Sequence, residues 1–284
     1  MCLSILRQIS VCFLMNSLLL PTATELNAKA KLVELPARLE PVIEELFGTT
    51  EGAIVIYDLK QQRYARYHPE RCKRRFAPCS TFKIPNSLIA LETGVIPDTS
   101  FMIPWDSVKV PRQAWWQTAR LDWGRDHNLR SAIQNSVVWF YQEVARRIGS
   151  VRMQNYLNRI DYGNEDISGG IDRFWLVSSL QISAEEQIEF LKKFYTGQLG
   201  FSERTTAIVK SILLVEKTRT YSLHAKTGGG NLGDNKALGW YVGFVEQPDN
   251  VFLFALNIEG ENFLEIREKR IELTRQILKA LEII

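Results

Sequence analysis

The sequence predicts a mixed α/β (α+β) fold: an antiparallel sheet formed from N- and C-terminal strands, with flanking helices and a helical region inserted in sequence between them. Three observations predict it. "EGAIVIYDLKQQRYARYHP" alternates apolar and polar residues on both sides of Lys60-Gln61-Gln62, the pattern of a β-hairpin over about residues 52–68. The middle of the chain carries apolar residues at helical spacing. After residue 219, "TYSLHAKTG", "ALGWYVGFVEQ" and "NVFLFALNIE" read as three strands separated by glycine-rich or Pro-Asp-Asn turns.

In chain order, Arg7 is followed by an apolar run from about Ile9 to Leu20, then by Pro21 and small residues leading to Ala28-Lys29-Ala30. That order reads as a secretory signal peptide over residues 1–30, because the run is shorter than the roughly 20 residues of a spanning helix. An uncleaved anchor is the alternative. Residues 31–284 are then one domain, since no repeat, low-complexity tract or linker divides them. After the hairpin a helix begins near Ser80. "LRSAIQNSVVWFYQEVARRIG" places Ile133, Val137, Phe140, Tyr141, Val144 and Ile148 at helical spacing and reads as one helix from Leu129 to Gly149. Ser183 with Glu186 is a capping box that opens a helix reaching about Tyr195. A long charged-apolar helix from about Phe263 closes the chain.

With 284 residues, 45% of them hydrophobic, the chain can bury a large core, which excludes a disordered protein. Its formal charge of +3, with no long basic run or aromatic-basic signature, gives no expectation of a nucleic-acid partner. His68, His127 and His224 form no H-E-x-x-H or Cys/His ligand spacing, so no metal site is expected. There is no G-x-S-x-G elbow of an α/β-hydrolase and no P-loop ending after the glycines at 228–230. If the signal is removed, Cys2 and Cys12 leave with it, and Cys72 and Cys79 remain either as a disulfide or as two buried thiols.

The residues able to do chemistry begin with Ser80 and Lys83 in "FAPCSTFKIPNSLIALETG". Serine caps helices for ordinary reasons. Positions i and i+3 also share a helix face, so Ser80 Oγ and Lys83 Nζ can meet where unpaired N–H groups favour negative charge. Apolar neighbours Phe82 and Ile84 would depress the pKa of Lys83, as an amine base requires. Ser136 in Ser136-Val137-Val138 reads as a helical serine bonding back to a carbonyl or as a further polar group of the site. Lys226-Thr227-Gly228, followed by Gly229 and Gly230, sets a lysine and a hydroxyl at a strand end beside residues that let a ligand lie along it; an ordinary turn is the other reading. His224 shares strand parity with Lys226, although a structural role is the simpler one.

S-x-x-K, then S-x-V, then K-T-G in that order resembles the penicillin-recognising serine enzymes. "PCSTFKIPNSLIALETG", "LRSAIQNSVVWFYQ", "DYGN", "FWLVSSLQISAEEQ", "KTGGG" and "GWYVGFVE" are similar to the class D, oxacillinase-type β-lactamases, from about Gly52 to the C-terminus. The resemblance implies a β-lactam as substrate, Ser80 as the acylated nucleophile, and Lys83 carboxylated on Nζ by CO2, with no other cofactor. Trp175 would bond that carbamate, Val138 would wall it, and Tyr162-Gly163-Asn164 would lie near the site. Ser136 would relay a proton to the leaving nitrogen, and Lys226 would support that transfer electrostatically. Thr227 and Arg270, with Arg267 as competitor, would hold the substrate carboxylate. The backbone N–H groups of Ser80 and Gly229 would form an oxyanion hole. The signal peptide implies a secreted protein, in the bacterial periplasm or released from the cell, with no stable membrane insertion after signal cleavage. Many relatives carry a bulky side chain where Gly229 stands, so carbapenem hydrolysis is not implied. Two other activities stay open: a sensor-like module that acylates without efficient turnover, and a D-Ala-D-Ala peptidase.

Overall fold

A computed structural model describes residues 40–233 and 236–284. The signal-peptide assignment over residues 1–30 lies outside them. The helix Glu40–Phe47 leads into β1 (Gly52–Asp58) and β2 (Arg63–Tyr67), the expected hairpin. A short helix (Pro69–Lys73), a 3₁₀ turn (Cys79–Phe82) and the helix Lys83–Glu92 follow, with a small pair of strands, β3 (Met102–Ile103) and β4 (His127–Asn128), beyond them. The inserted helical region continues through Leu129–Gln134, Val138–Ile148, Ser150–Ile160, Ala184–Tyr195 and Glu203–Ile212. The chain returns to the sheet as β5 (Leu214–Lys217), β6 (Ser222–Gly233), β7 (Lys236–Glu246) and β8 (Val251–Gly260), and ends in the helix Phe263–Ala280.

The sheet has the order β2-β1-β8-β7-β6-β5, so the N-terminal hairpin docks on the last strand and both ends of the sequence share one sheet. Every pairing is antiparallel. Helices cover both faces. Because side chains alternate across a strand, Val55, Trp240, Val242 and Ala255 meet the inserted helical region, while Ile54, Tyr241, Leu256 and Ile258 meet the last helix and the Glu40–Phe47 helix. Two-sided burial explains why β7 reads as a nearly unbroken apolar run.

Three expectations need correction, and of the two states left open for the cysteines the structure has one. The single helix over Leu129–Gly149 is two, Leu129–Gln134 and Val138–Ile148, broken at Asn135-Ser136-Val137. Helical periodicity persists across the break because both pieces bury the same side, so periodicity alone could not reveal it. Secondly, the glycines 228–230 are not a turn: β6 runs through them, with Gly228 opposite Trp240 and Gly229 opposite Gly239. Thirdly, Ser80 caps no helix; it lies inside a 3₁₀ turn whose preceding residue is Pro78. Finally, Cys72 and Cys79 are separate buried thiols, the first donating to the carbonyls of Tyr67 and Ile54 and the second lying beside Gly230. Strand β5 had no sequence signature, its four residues being mostly exposed.

Candidate active site

The nucleophile turn is held from several directions. Thr81 donates both its N–H and its hydroxyl to the Pro78 carbonyl, at 3.1 and 2.8 Å. Gln187 Nε2 donates to Thr81 Oγ1 at 2.9 Å, Trp240 Nε1 to the Ala77 carbonyl at 3.0 Å, and the Cys79 N–H to the Trp175 carbonyl at 3.0 Å. Gln187 was missed from sequence; its signal is a polar residue at a core-facing position between Ala184 and Ile188.

The 3₁₀ turn passes directly into the helix Lys83–Glu92, and the three-residue offset brings Lys83 Nζ to 2.6 Å from Ser80 Oγ. Lys83 is fully buried, and burial pushes its amine down to about 7. Its seat is aromatic. Phe82 stacks on Trp175 at 5.4 Å and meets Phe174 and Tyr162 edge-on at 5.0 and 5.7 Å, while the Tyr141 ring lies 5.4 Å from Lys83 Nζ. Trp175 Nε1 is buried with no hydrogen-bond partner among the described residues. A buried indole N–H ordinarily finds an acceptor, so this orphan donor marks a place where an anionic oxygen would fit.

The helix break supplies the next group. The Val137 N–H bonds the Ala132 carbonyl and the Ser136 N–H bonds the Ile133 carbonyl, which is the Schellman arrangement with Ser136 at the left-handed position, φ 53°. Glycine is usual there. The turned backbone brings Ser136 Oγ to 3.0 Å from Lys226 Nζ. Lys226 also donates to the Thr227 carbonyl at 2.9 Å, and its charged form is strongly disfavoured by burial and then by Lys83 and Arg270.

The three glycines of β6 alternate between two neighbours. A Cβ on Gly228 would stand 2.8 Å from the Pro78 carbonyl oxygen, so a bare Cα is what lets the strand lie against the nucleophile turn. Gly230 faces the same side, against Val177 and Cys79, whereas a Cβ on Gly229 would point at Arg270 and Phe263 on the last helix. Arg270 is buried and donates to the Gly228 carbonyl and, at 3.1 Å, to the Arg267 carbonyl; burial lowers its pKa to about 10. Arg267 is half-exposed, donates to the Ala119 carbonyl and pairs with Glu268 at 3.3 Å.

These parts converge on a cleft of about 620 Å³. Ser80, Ser136, Val138, Thr227 and Gly229 line it, and both Arg267 and Arg270 reach it. Among the described residues Arg270 has no carboxylate partner, and it is the buried cation at this cleft that an anion would pair with. Tyr162, Gly163 and Asn164 lie behind it. Asn164 ties the loop bearing Trp175 by bonds to the Gln181 N–H and the Ser179 carbonyl, both 2.8 Å. His224 is structural: it bonds the Lys210 carbonyl at 2.9 Å and stacks on Phe244. Trp115 and Phe263 also line the cleft and carried no motif in the sequence.

A penicillin-recognising fold with this paired serine–lysine geometry defines a class, and the comparisons agree: residues 50–281 match the penicillin binding protein transpeptidase domain. The chain is 43% identical to β-lactamase OXA-48 of Klebsiella pneumoniae over 83% of its own length and 85% of that protein. It superposes on the class D β-lactamase YbXI from Nostoc with TM-score 0.79 at 41% identity, covering 85% of this chain and 99% of that one. For the class D β-lactamase from Sebaldella termitidis the TM-score is 0.80 at 36% identity, covering 89% and 99%. The chain belongs to the class D β-lactamases.

Proposed function

We propose that the protein hydrolyses β-lactam antibiotics through a Ser80 acyl-enzyme, with Lys83 carboxylated on Nζ. The observation that carries this is the buried Lys83 amine, 2.6 Å from Ser80 Oγ, in an aromatic seat that also holds the orphan N–H of Trp175. Only an uncharged amine combines with CO2, and burial favours that form here. Lys83 and Trp175 would hold the bound CO2, which supplies an anionic base near neutral pH.

Ser80 Oγ attacks the lactam carbonyl carbon while its proton leaves toward residue 83. A C–O bond forms, and the Ser80 and Gly229 N–H groups receive the oxyanion. The lactam C–N bond then breaks, Ser136 gives its hydroxyl proton to the departing nitrogen and takes up the proton released by Ser80, and Lys226 supports the transfer by donating a hydrogen bond to Ser136 Oγ at 3.0 Å. Thr227 and Arg270 hold the substrate carboxylate, Arg270 being favoured over Arg267 because Arg267 already pairs with the Glu268 carboxylate whereas Arg270 bonds only backbone carbonyls. Water attacks the ester carbonyl, its proton leaving toward residue 83; the C–Oγ bond then breaks, Ser80 Oγ takes up that proton, and the ring-opened acid is released. We also propose that residues 1–30 direct export, with 31–284 as the mature domain working in the bacterial periplasm. No helix among the described residues is long and apolar enough to cross a membrane.

The test is a chromogenic cephalosporin supplied in excess with bicarbonate. Steady turnover well past one equivalent is expected; a burst that stops at one equivalent would make the protein a trap instead.

A further inference from the structure

The mechanism assigns no part to the aromatic residue that stands where a side chain on residue 229 would be. An ideal Cβ on Gly229 lies 2.7 Å from Phe263 Cε2 and 2.7 Å from Arg270 Nη1, so the space beside this strand position is already filled from the last helix. Phe263 opens that helix. Asn262 caps it by accepting the Glu265 N–H at 3.0 Å, which fixes where the ring emerges. Two turns later on the same face comes Arg270, whose guanidinium carbon lies 5.5 Å from the Phe263 ring centroid. The ring therefore borders both the residue placed at the oxyanion hole and the arginine placed at the carboxylate, and it lines the cleft.

We propose that Phe263 is a specificity-determining residue, forming an apolar wall against the part of a bicyclic β-lactam that adjoins its carboxylate-bearing ring carbon. The proposal rests on the acylation reading given above. In penicillins that region carries two methyl groups on the ring carbon next to the carboxylate-bearing carbon, which the ring would cover. A cephalosporin with a cationic pyridinium substituent beside its carboxylate gains little there, because Arg270 and Arg267 flank the same wall. The favoured class is thus β-lactams with an apolar group next to the carboxylate.

The experiment measures acylation and turnover by the mature protein and by Phe263→Ala and Phe263→Leu. The substrates are benzylpenicillin and a pyridinium cephalosporin. Phe263→Ala is expected to lose about tenfold in kcat/KM for the penicillin, chiefly through KM, and less than threefold for the cephalosporin. Phe263→Leu should keep most of the penicillin activity. Equal losses on both substrates would reduce Phe263 to a support for Arg270 and overturn the wall, as would no loss at all. If the parent protein acylates without turnover, the hydrolase reading fails while the acylation rates still decide this one.

Discussion

Replacing Gly228 by alanine tests whether the strand and the nucleophile turn are in true contact. The added methyl would meet the Pro78 carbonyl oxygen at 2.8 Å, Thr81 Cγ2 at 2.9 Å and the Thr81 amide nitrogen at 3.2 Å. Against the 3.4 Å at which ordinary contact begins, the worst overlap is about 0.6 Å. None of these atoms gives way alone, since Thr81 bonds Pro78 twice and Gln187 and Trp240 pin the same turn. The turn must move as a body and take Ser80 with it. Overpacking of this kind costs about 1–3 kcal/mol, which for a domain of this size lowers Tm by about 2–12 °C. A nucleophile displaced by several tenths of an ångström loses on the order of tenfold in acylation rate, since a full ~1 Å costs about 10²-fold. Stopped-flow acylation and a thermal melt read both quantities. Gly230→Ala is the internal control, because its nearest obstacle, at 2.5 Å, is the side chain of the partly exposed Val177 rather than backbone, and its loss should be smaller. Unchanged acylation and an unchanged Tm in Gly228→Ala would refute the reasoning.

Other outcomes are expected from the same geometry. With the Lys83 amine lowered to about 7 by burial, roughly one tenth is uncharged at pH 6 and nine tenths at pH 8. Reactivation of CO2-depleted protein by bicarbonate should therefore rise with pH through a midpoint near 7, and a pH-independent response would count against Lys83 as its site. Trp175→Phe keeps the stack on Phe82 but loses the N–H, so it should need several-fold more bicarbonate for the same activity; equal bicarbonate titrations would remove the indole from the account. Ser136→Gly relieves a left-handed serine and should leave Tm unchanged or raised by up to about 4 °C, with acylation down by about 10²-fold or more. An active variant would show that the hydroxyl is dispensable. Cys72 and Cys79, both pushed up to about 12 by burial, should resist thiol reagents in the native protein and react after unfolding without reductant. Failure to react then would mean a disulfide.

Much of this was legible in the sequence, for identifiable reasons. The hairpin, the Ser183 capping box and the last helix were read from alternation, from Ser-x-x-Glu and from periodicity, all of them local signals. Ser80 and Lys83 were also readable as a pair, since three residues on one helical path fix their proximity. What escaped depended on contacts between distant segments. Ser136 sits at a break that periodicity smooths over, and its αL conformation is one glycine usually takes. Glycines in a row signal a turn unless it is known that a nucleophile loop presses on one side of them and an arginine on the other. Gln187 and Phe263 carry no motif; their importance comes from Thr81 and Gly229, which lie far away in sequence.

The bare stretch of β6 has a mechanical consequence. Arg270 grips the carbonyl of Gly228 from one side of the sheet, while the Cα of the same residue touches the Pro78–Thr81 turn on the other. A single peptide plane thus separates the helix that would anchor a ligand's acid group from the serine that would attack its ring. Any shift of Arg270 reaches Ser80 without passing through an intervening side chain, so distant changes in the last helix ought to register as altered aim of the nucleophile.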